Sequence, residues 1–121
     1  MRELVILRGA QLMKSEYEWA QHLRMARKCG VREEQIAALA DWKKSKAFDE
    51  KERAALRIAE AVTNGRVSDE DYAEAMRHFD HHDYVELAIV AAFYAMVGRM
   101  LDAMGVQLEP DIQDHSPRLA R

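Results

Sequence analysis

The chain has 121 residues, 49% hydrophobic and 32% charged, with a formal net charge of −3. That length holds one core and not two, and a mildly acidic chain without a dense Lys/Arg run has no footprint for nucleic acid. A single cysteine, Cys29, excludes an intrachain disulfide and a C-x-x-C redox pair, in keeping with a reducing cytoplasm. Met1-Arg2-Glu3 leads straight into an amphipathic segment, so no signal peptide is expected. The longest apolar stretch, 87–96, is too short to span a bilayer, and no membrane partner is expected. Both prolines, Pro110 and Pro117, fall in the last dozen residues. Everything before them lacks the strongest helix breaker, which points to an all-α protein.

Leu4, Val5, Leu7, Leu12 and Met13 around Glu3, Arg8 and Gln11 predict a first helix over 2–13, with no capping residue ahead of it. A helix that starts uncapped frays, so this end is expected either to dock on a partner or to continue upstream in a longer natural chain. Ser15 and Glu18 form an S-x-x-E capping box for a second helix over 16–29. Gly30 then supplies the left-handed residue such ends favour. Residues 32–44 predict a third helix around Ile36, Leu39 and Trp42, acidic at its start and basic at its end, as the helix dipole prefers. Asp49 and Glu52 form another capping box ahead of a helix carrying Ala55, Leu56, Ile58, Ala59 and Val62, which stops at Asn64-Gly65. Ser68 caps a fifth helix over 69–79 with Tyr72, Ala75, Met76 and Phe79 inward. Asp80-His81-His82-Asp83 reads as a turn. Residues 84–104 form the longest and most apolar helix, expected at the centre of the core or at an oligomer interface. The organisation predicted is one helical domain over 1–106 and an extended or disordered arm over 107–121, which has little to bury.

The second helix carries the chemistry. Residues 15, 18 and 22 recur at spacings of three and four, which places their side chains on one helix face. Trp19, Met25, Ala26 and Cys29 fall on the same face, whereas Glu16, Gln21, Arg24, Arg27 and Lys28 point away. Burying a serine, a carboxylate and an imidazole costs several kcal/mol unless they find partners. One reading is local: Ser15 and Glu18 cap the helix, and His22 is a core histidine bonded to Glu18 one turn back. The other is functional, because a carboxylate beside a partly desolvated imidazole tunes a general acid/base toward neutral pH. A short turn at Met13-Lys14 folds the first helix back as an antiparallel neighbour and brings Glu3 toward the cluster. Whether Glu3 reaches His22 is left open by the sequence.

The runs Arg2-Glu3-Leu4-Val5-Ile6-Leu7-Arg8 and Ser15-Glu16-Tyr17-Glu18-Trp19 with His22 resemble the carboxymuconolactone decarboxylase family, part of the alkylhydroperoxidase-D-like superfamily. Gly30-Val31, the stretch from Phe48 to Leu56, Gly65-Arg66-Val67-Ser68, and Val85-Glu86-Leu87 through Gly105-Val106 resemble it as well. The resemblance covers residues 2 to about 110 and implies an antiparallel helical bundle of that type. In the peroxidase branch a glutamate is followed twelve residues on by a C-x-x-C, then by a histidine four after the second cysteine. Glu3 and His22 match the outer positions, but Ser15 and Glu18 stand where the cysteines would be. A serine and a carboxylate cannot exchange a disulfide, so the thiol-peroxidase activity does not carry over. The decarboxylase branch, which is similar around E-Y-E-W, implies cofactor-free chemistry on a small carboxylated substrate. An acid protonates the carbon that loses carbon dioxide, and a cation holds the carboxylate. That resemblance implies catalytic roles for His22, Glu18 and Glu3, with His22 the proton donor. Arg8 is the candidate carboxylate anchor, and Ser15, Tyr17 and Trp19 are candidates for the pocket wall. It also implies self-association through the last long helix, as a trimer or hexamer.

Other features weigh less. His78, His81 and His82 with Asp80 and Asp83 fit no common zinc spacing, so they read as a solvated turn and no metal site is expected. Met96, Met100 and Met104, four residues apart, read as a packing seam, and Cys29 as a packed core residue. Three functions are therefore carried forward. They are lyase-type acid/base chemistry on a small carboxylated or carbonyl substrate, a peroxide-linked antioxidant role, and a non-catalytic oligomeric binding protein.

Overall fold

The first helix, expected to fray, is the one around which the others are arranged. The computed structural model describes residues 1–113 and Leu119. Its helices are α1 (Arg2–Met13), α2 (Glu16–Lys28), α3 (Glu33–Ala38), α4 (Glu50–Thr63), α5 (Asp69–Ala75), α6 (His81–Ala103) and the single turn α7 (Pro110–Gln113). α1 packs against α2, α4 and α6, and Glu3, Leu4, Val5, Ile6, Leu7, Gly9 and Ala10 are buried along it. Leu4 and Leu7 belong to one apolar cluster with Trp19, Leu23, Leu39 and Leu56. Val5 belongs to another with Ile58, Phe79, Leu87 and Ala91. A helix apolar on all sides is buried on all sides, and here that helix is α1.

α6 takes a different role from the expected central one. Its buried residues are Leu87, Ala91, Ala95 and Gly98, a mostly small-sided stripe that lets its backbone approach α1. At Gly98 a Cβ would lie 2.9 Å from Met13 Cε. The large apolar residues sit on the other side and are exposed: Ile89 60%, Phe93 51%, Met96 53%, Met100 48% and Met104 70%. Among the described residues the methionine seam is therefore left about half exposed or more. With 23 residues and an 18-residue stretch of mean hydropathy 1.5, α6 is long and apolar enough to cross a membrane by length and composition alone. The shorter stretch 87–96 concealed this. Its inner stripe is nevertheless packed on α1 and α4, the pattern of a helix in a globular bundle.

Local chemistry sets the boundaries. α1 ends at Lys14, whose backbone is left-handed (φ 56°), and Ser15 N–H donates back to Ala10 O at 3.0 Å. This tight reversal makes α1 and α2 neighbours. Asp49 and Glu52 form the reciprocal capping box expected ahead of α4. The predicted third helix is shorter: after Ala38 the chain tightens into a 3₁₀ turn at Leu39–Asp41. That turn still buries Ile36, Leu39 and Trp42. α5 likewise stops at Ala75, with Phe79 buried beyond it and Tyr72 exposed. The stretch 80–83 is not a turn but the start of α6, because the Asp80 side chain accepts from Asp83 N–H at 2.8 Å and caps the helix. In the segment expected as an arm, Pro110–Gln113 form a helical turn with Ile112 buried. Leu119 is buried in the Leu4–Trp19 cluster. Residues 114–118 and 120–121 of that arm lie outside the described residues.

Candidate active site

The reversal at Lys14 brings α1 and α2 side by side with Glu3 facing His22. His22 Nδ1 lies 2.9 Å from Glu3 Oε2, and His22 Nε2 lies 3.2 Å from Glu18 Oε2. Glu3, Glu18 and His22 are 7%, 4% and 5% exposed. The imidazole is thus held between two buried carboxylates. Ser15 is also buried, and its Oγ accepts from Glu18 N–H at 3.4 Å. The predicted capping box is only half made: Glu18 turns its carboxylate to His22, while the Ser15 N–H is taken by Ala10 O. The three polar groups that looked anomalous on an apolar face have found their partners in one another and in Glu3.

The electrostatics follow from this arrangement. Burial disfavours the imidazolium, but hydrogen bonds and charge from Glu18 and Glu3 more than offset it, so His22 titrates above its ordinary value. When the imidazole is protonated both ring nitrogens donate, Nδ1 toward Glu3 and Nε2 toward Glu18. The Nε2 contact with Glu18 is the longer of the two. A carboxylate on each ring nitrogen fixes the orientation of the ring.

The remaining candidates separate from this cluster. Tyr17 is half-buried, and its hydroxyl donates to Glu109 Oε1 at 3.2 Å while Gln21 Nε2 donates to Glu109 Oε2 at 3.0 Å. These bonds tie the segment after α6 to α2. Trp19 is buried in the apolar cluster with Leu4 and Leu23. Arg8 does not join Glu3, Glu18 and His22. Its Nε and Nη2 donate to Glu60 Oε1 at 2.9 and 2.7 Å and its Nη1 to Gln11 Oε1 at 2.8 Å. Glu60 also accepts from Trp42 Nε1 and Lys43 Nζ. Arg8 is five residues from Glu3, which turns it about 140° around α1, and its fork is spent on α4. A groove of about 580 Å³ lies on that side, lined by residues such as Trp42, Arg53, Glu60 and Asp71, and no member of the His22 cluster lines it. Cys29 is exposed rather than packed, as is Met25, because the inward face of α2 narrows to Ala26 in its last turn. His82 with Asp80 and Asp83 brings ligand atoms within 4.8 Å, all on exposed residues.

Two residues at this site escaped the sequence reading. The ring of Tyr94 on α6 meets the His22 ring edge to face at 4.8 Å between centroids, and Arg2 Nη2 donates to Tyr94 Oη at 2.9 Å. Tyr94 lay hidden in an apolar run, and Arg2 looked like an ordinary charge at a chain end. Only the tertiary packing of α6 on α1 unites them with His22.

Residues 1–61 match the model of the carboxymuconolactone decarboxylase family, a span that contains Glu3, Ser15, Glu18 and His22. This chain belongs to that family. The uncharacterised protein YdfG of Bacillus subtilis (strain 168) is 32% identical over 107 residues, spanning 86% of this chain and 73% of YdfG. A protein of unknown function from Agrobacterium tumefaciens, provisionally labelled antioxidant defence protein AhpD, superposes with a TM-score of 0.83 at 21% identity. That match covers 89% of this chain and 76% of the other. The debrominase Bmp8 in complex with 2,3,4-tribromopyrrole gives a TM-score of 0.81 at 21% identity, over 93% of this chain and 62% of Bmp8. These structural likenesses bear out the all-α, AhpD-like fold.

Proposed function

We propose that the protein carries out cofactor-free acid/base chemistry of the lyase type on a small carboxylated or carbonyl substrate, with His22 as proton donor. The observation that carries this reading is the imidazole held between Glu3 and Glu18 at 2.9 and 3.2 Å, with its titration displaced upward. Such a group keeps a proton available near neutral pH. In a decarboxylation the bond from the substrate carbon to its carboxylate breaks, carbon dioxide leaves, and the electron pair stays on carbon, stabilised by an adjacent carbonyl. His22 Nε2–H delivers the proton that the carbon takes up. Glu3 holds Nδ1–H and balances the charge, and Glu18 yields Nε2 to the substrate and helps His22 recover its proton from water. Ser15 fixes the start of α2 and with it Glu18. The exposed apolar side of α6 is, in the same proposal, where copies of the chain associate as a trimer or hexamer, and the cytoplasm is its compartment.

One observation favours a second reading. The Glu3–His22–Glu18 group is less than a tenth exposed and internally satisfied, which suits a structural network in a non-catalytic oligomeric binding protein. A thiol peroxidase would have to rest on Cys29 alone. Release of carbon dioxide from carboxymuconolactone and from a panel of β-keto acids separates the three. The acid/base reading expects turnover that falls at least a hundredfold in His22→Gln with the fold intact. Equal turnover in His22→Gln refutes the proton-donor role. Peroxide consumption that disappears in Cys29→Ser favours the antioxidant role, and turnover of neither class leaves the binding protein.

A further inference from the structure

We propose that Arg2 and Tyr94 form the carboxylate-binding end of the His22 site. This deepens the acid/base reading above and rests on it, because it supplies the cation which that reading requires and which Arg8 does not provide. Glu3 and Glu18 place two carboxylate groups around one imidazole in a buried space. An anionic substrate is repelled there unless a cation stands beside it. The Arg8 fork is committed to Glu60 and Gln11 on the far side of α1. Arg2 is adjacent in sequence to Glu3, and it is exposed.

Its placement is set by Tyr94. Arg2 Nη2 donates to Tyr94 Oη at 2.9 Å and the guanidinium carbon lies 5.9 Å from the Tyr94 ring centroid. The same ring packs nearly perpendicular to the His22 ring, 4.8 Å between centroids. Guanidinium, phenol and imidazole therefore form one continuous line from solvent to the buried proton donor. A guanidinium offers five N–H donors in a planar fork suited to a carboxylate, and Tyr94 uses one of them. Because the phenol oxygen accepts from Arg2, its own O–H is directed away from the guanidinium. Two adjacent donor groups, one of them cationic, thus stand ready at the exposed end of the site.

Benzoate, with benzamide as its uncharged counterpart, tests this on the full chain by NMR titration, read at the His22 and Tyr94 ring resonances. Benzoate is expected to shift both saturably and benzamide neither. Arg2→Gln is expected to weaken benzoate binding at least roughly tenfold and Tyr94→Phe severalfold, as loss of charge-assisted hydrogen bonds implies. Arg8→Gln is expected to bind within about twofold of the parent. Absence of a saturable shift in the parent, equal binding by Arg2→Gln, or equal shifts from benzamide overturns the proposal. The two readings fail separately. Benzoate capture that depends on Arg2, without His22-dependent turnover, keeps the anchor and removes the acid. His22-dependent turnover with benzoate binding indifferent to Arg2 keeps the acid and removes the anchor.

Discussion

Replacing His22 by leucine leaves Glu3 and Glu18 facing one another in a space that is less than a tenth exposed. The imidazole now between them holds Glu3 Oε2 at 2.9 Å and Glu18 Oε2 at 3.2 Å, and leucine fills its volume without offering a donor. Removing one member of a buried ionic group costs about 3–5 kcal/mol, since the remaining charges stay desolvated and unpaired. For a domain of this length that is a fall of roughly 10–20 °C in Tm, a large part of the ~5–15 kcal/mol that holds a typical fold. The loss has a pH signature. In the variant the carboxylates escape their predicament by taking up protons, so acid relieves the defect. Thermal unfolding followed by circular dichroism between pH 4.5 and 7 should show the largest gap between parent and His22→Leu near neutrality, and a narrower one at the acid end. A variant within about 1 kcal/mol of the parent at pH 7, or a gap that does not change with pH, refutes the view that His22 neutralises two buried carboxylates.

The parent has its own pH profile. The raised titration of His22 contributes stability that is fully present below about pH 6.5, its ordinary value, and is lost as pH rises through the folded value. The lowered carboxyls contribute stability that is present above about pH 4 and lost on acidification. Burial opposes ionisation of Glu60, but Trp42, Lys43 and Arg8 outweigh it; at Asp71 Ser68 and Arg57 do so. Calorimetry should therefore find maximum Tm at mildly acidic pH, and a flat Tm above pH 6.5 speaks against it. Cys29 should react with Ellman's reagent in the native protein within about tenfold of its rate in urea, as an exposed thiol does; reaction limited by unfolding would return it to the core. Arg8→Gln takes two donors from Glu60 while Trp42 and Lys43 remain, so urea titration should record a loss of about 1–3 kcal/mol, with His22 resonances unchanged. Phe93→Glu on the exposed side of α6 should dissociate the proposed oligomer in sedimentation velocity, and an unaltered sedimentation coefficient removes that face as the interface.

The sequence reveals what depends on near neighbours. Caps at Ser15, Asp49 and Ser68, the reversal at Lys14 and the inward face holding Ser15, Glu18 and His22 all follow from spacings of a few residues. The pairing of Glu3 with His22 needs only that reversal, which explains why it was within reach. What the sequence conceals is which side of a helix finds a partner. α1 and α6 are both apolar on several sides, and patterning alone does not say that α1 is enclosed while α6 keeps its bulky residues outside. Arg8 illustrates the same limit: a cation near the motif in sequence is turned around α1 to Glu60, fifty-two residues away. Tyr94 and Arg2 are its converse, ninety-two residues apart and in contact. Cys29 went astray because the last turn of α2 reaches past the core.

Glu3, Glu18 and His22 lie within the first turn of α1 and the first two turns of α2, whereas the ring against His22 is contributed by α6. Two stretches of chain with separate duties are thereby joined at one place. In the proposed site, substitution of Tyr94 alters what is accepted without touching the groups that move the proton. In the same proposal, substitution of Glu3, Glu18 or His22 alters the reaction and leaves the Tyr94 ring in place. A chain so arranged can, under that proposal, change its substrate by substitutions on one distant helix while the helix pair that carries His22 stays as it is.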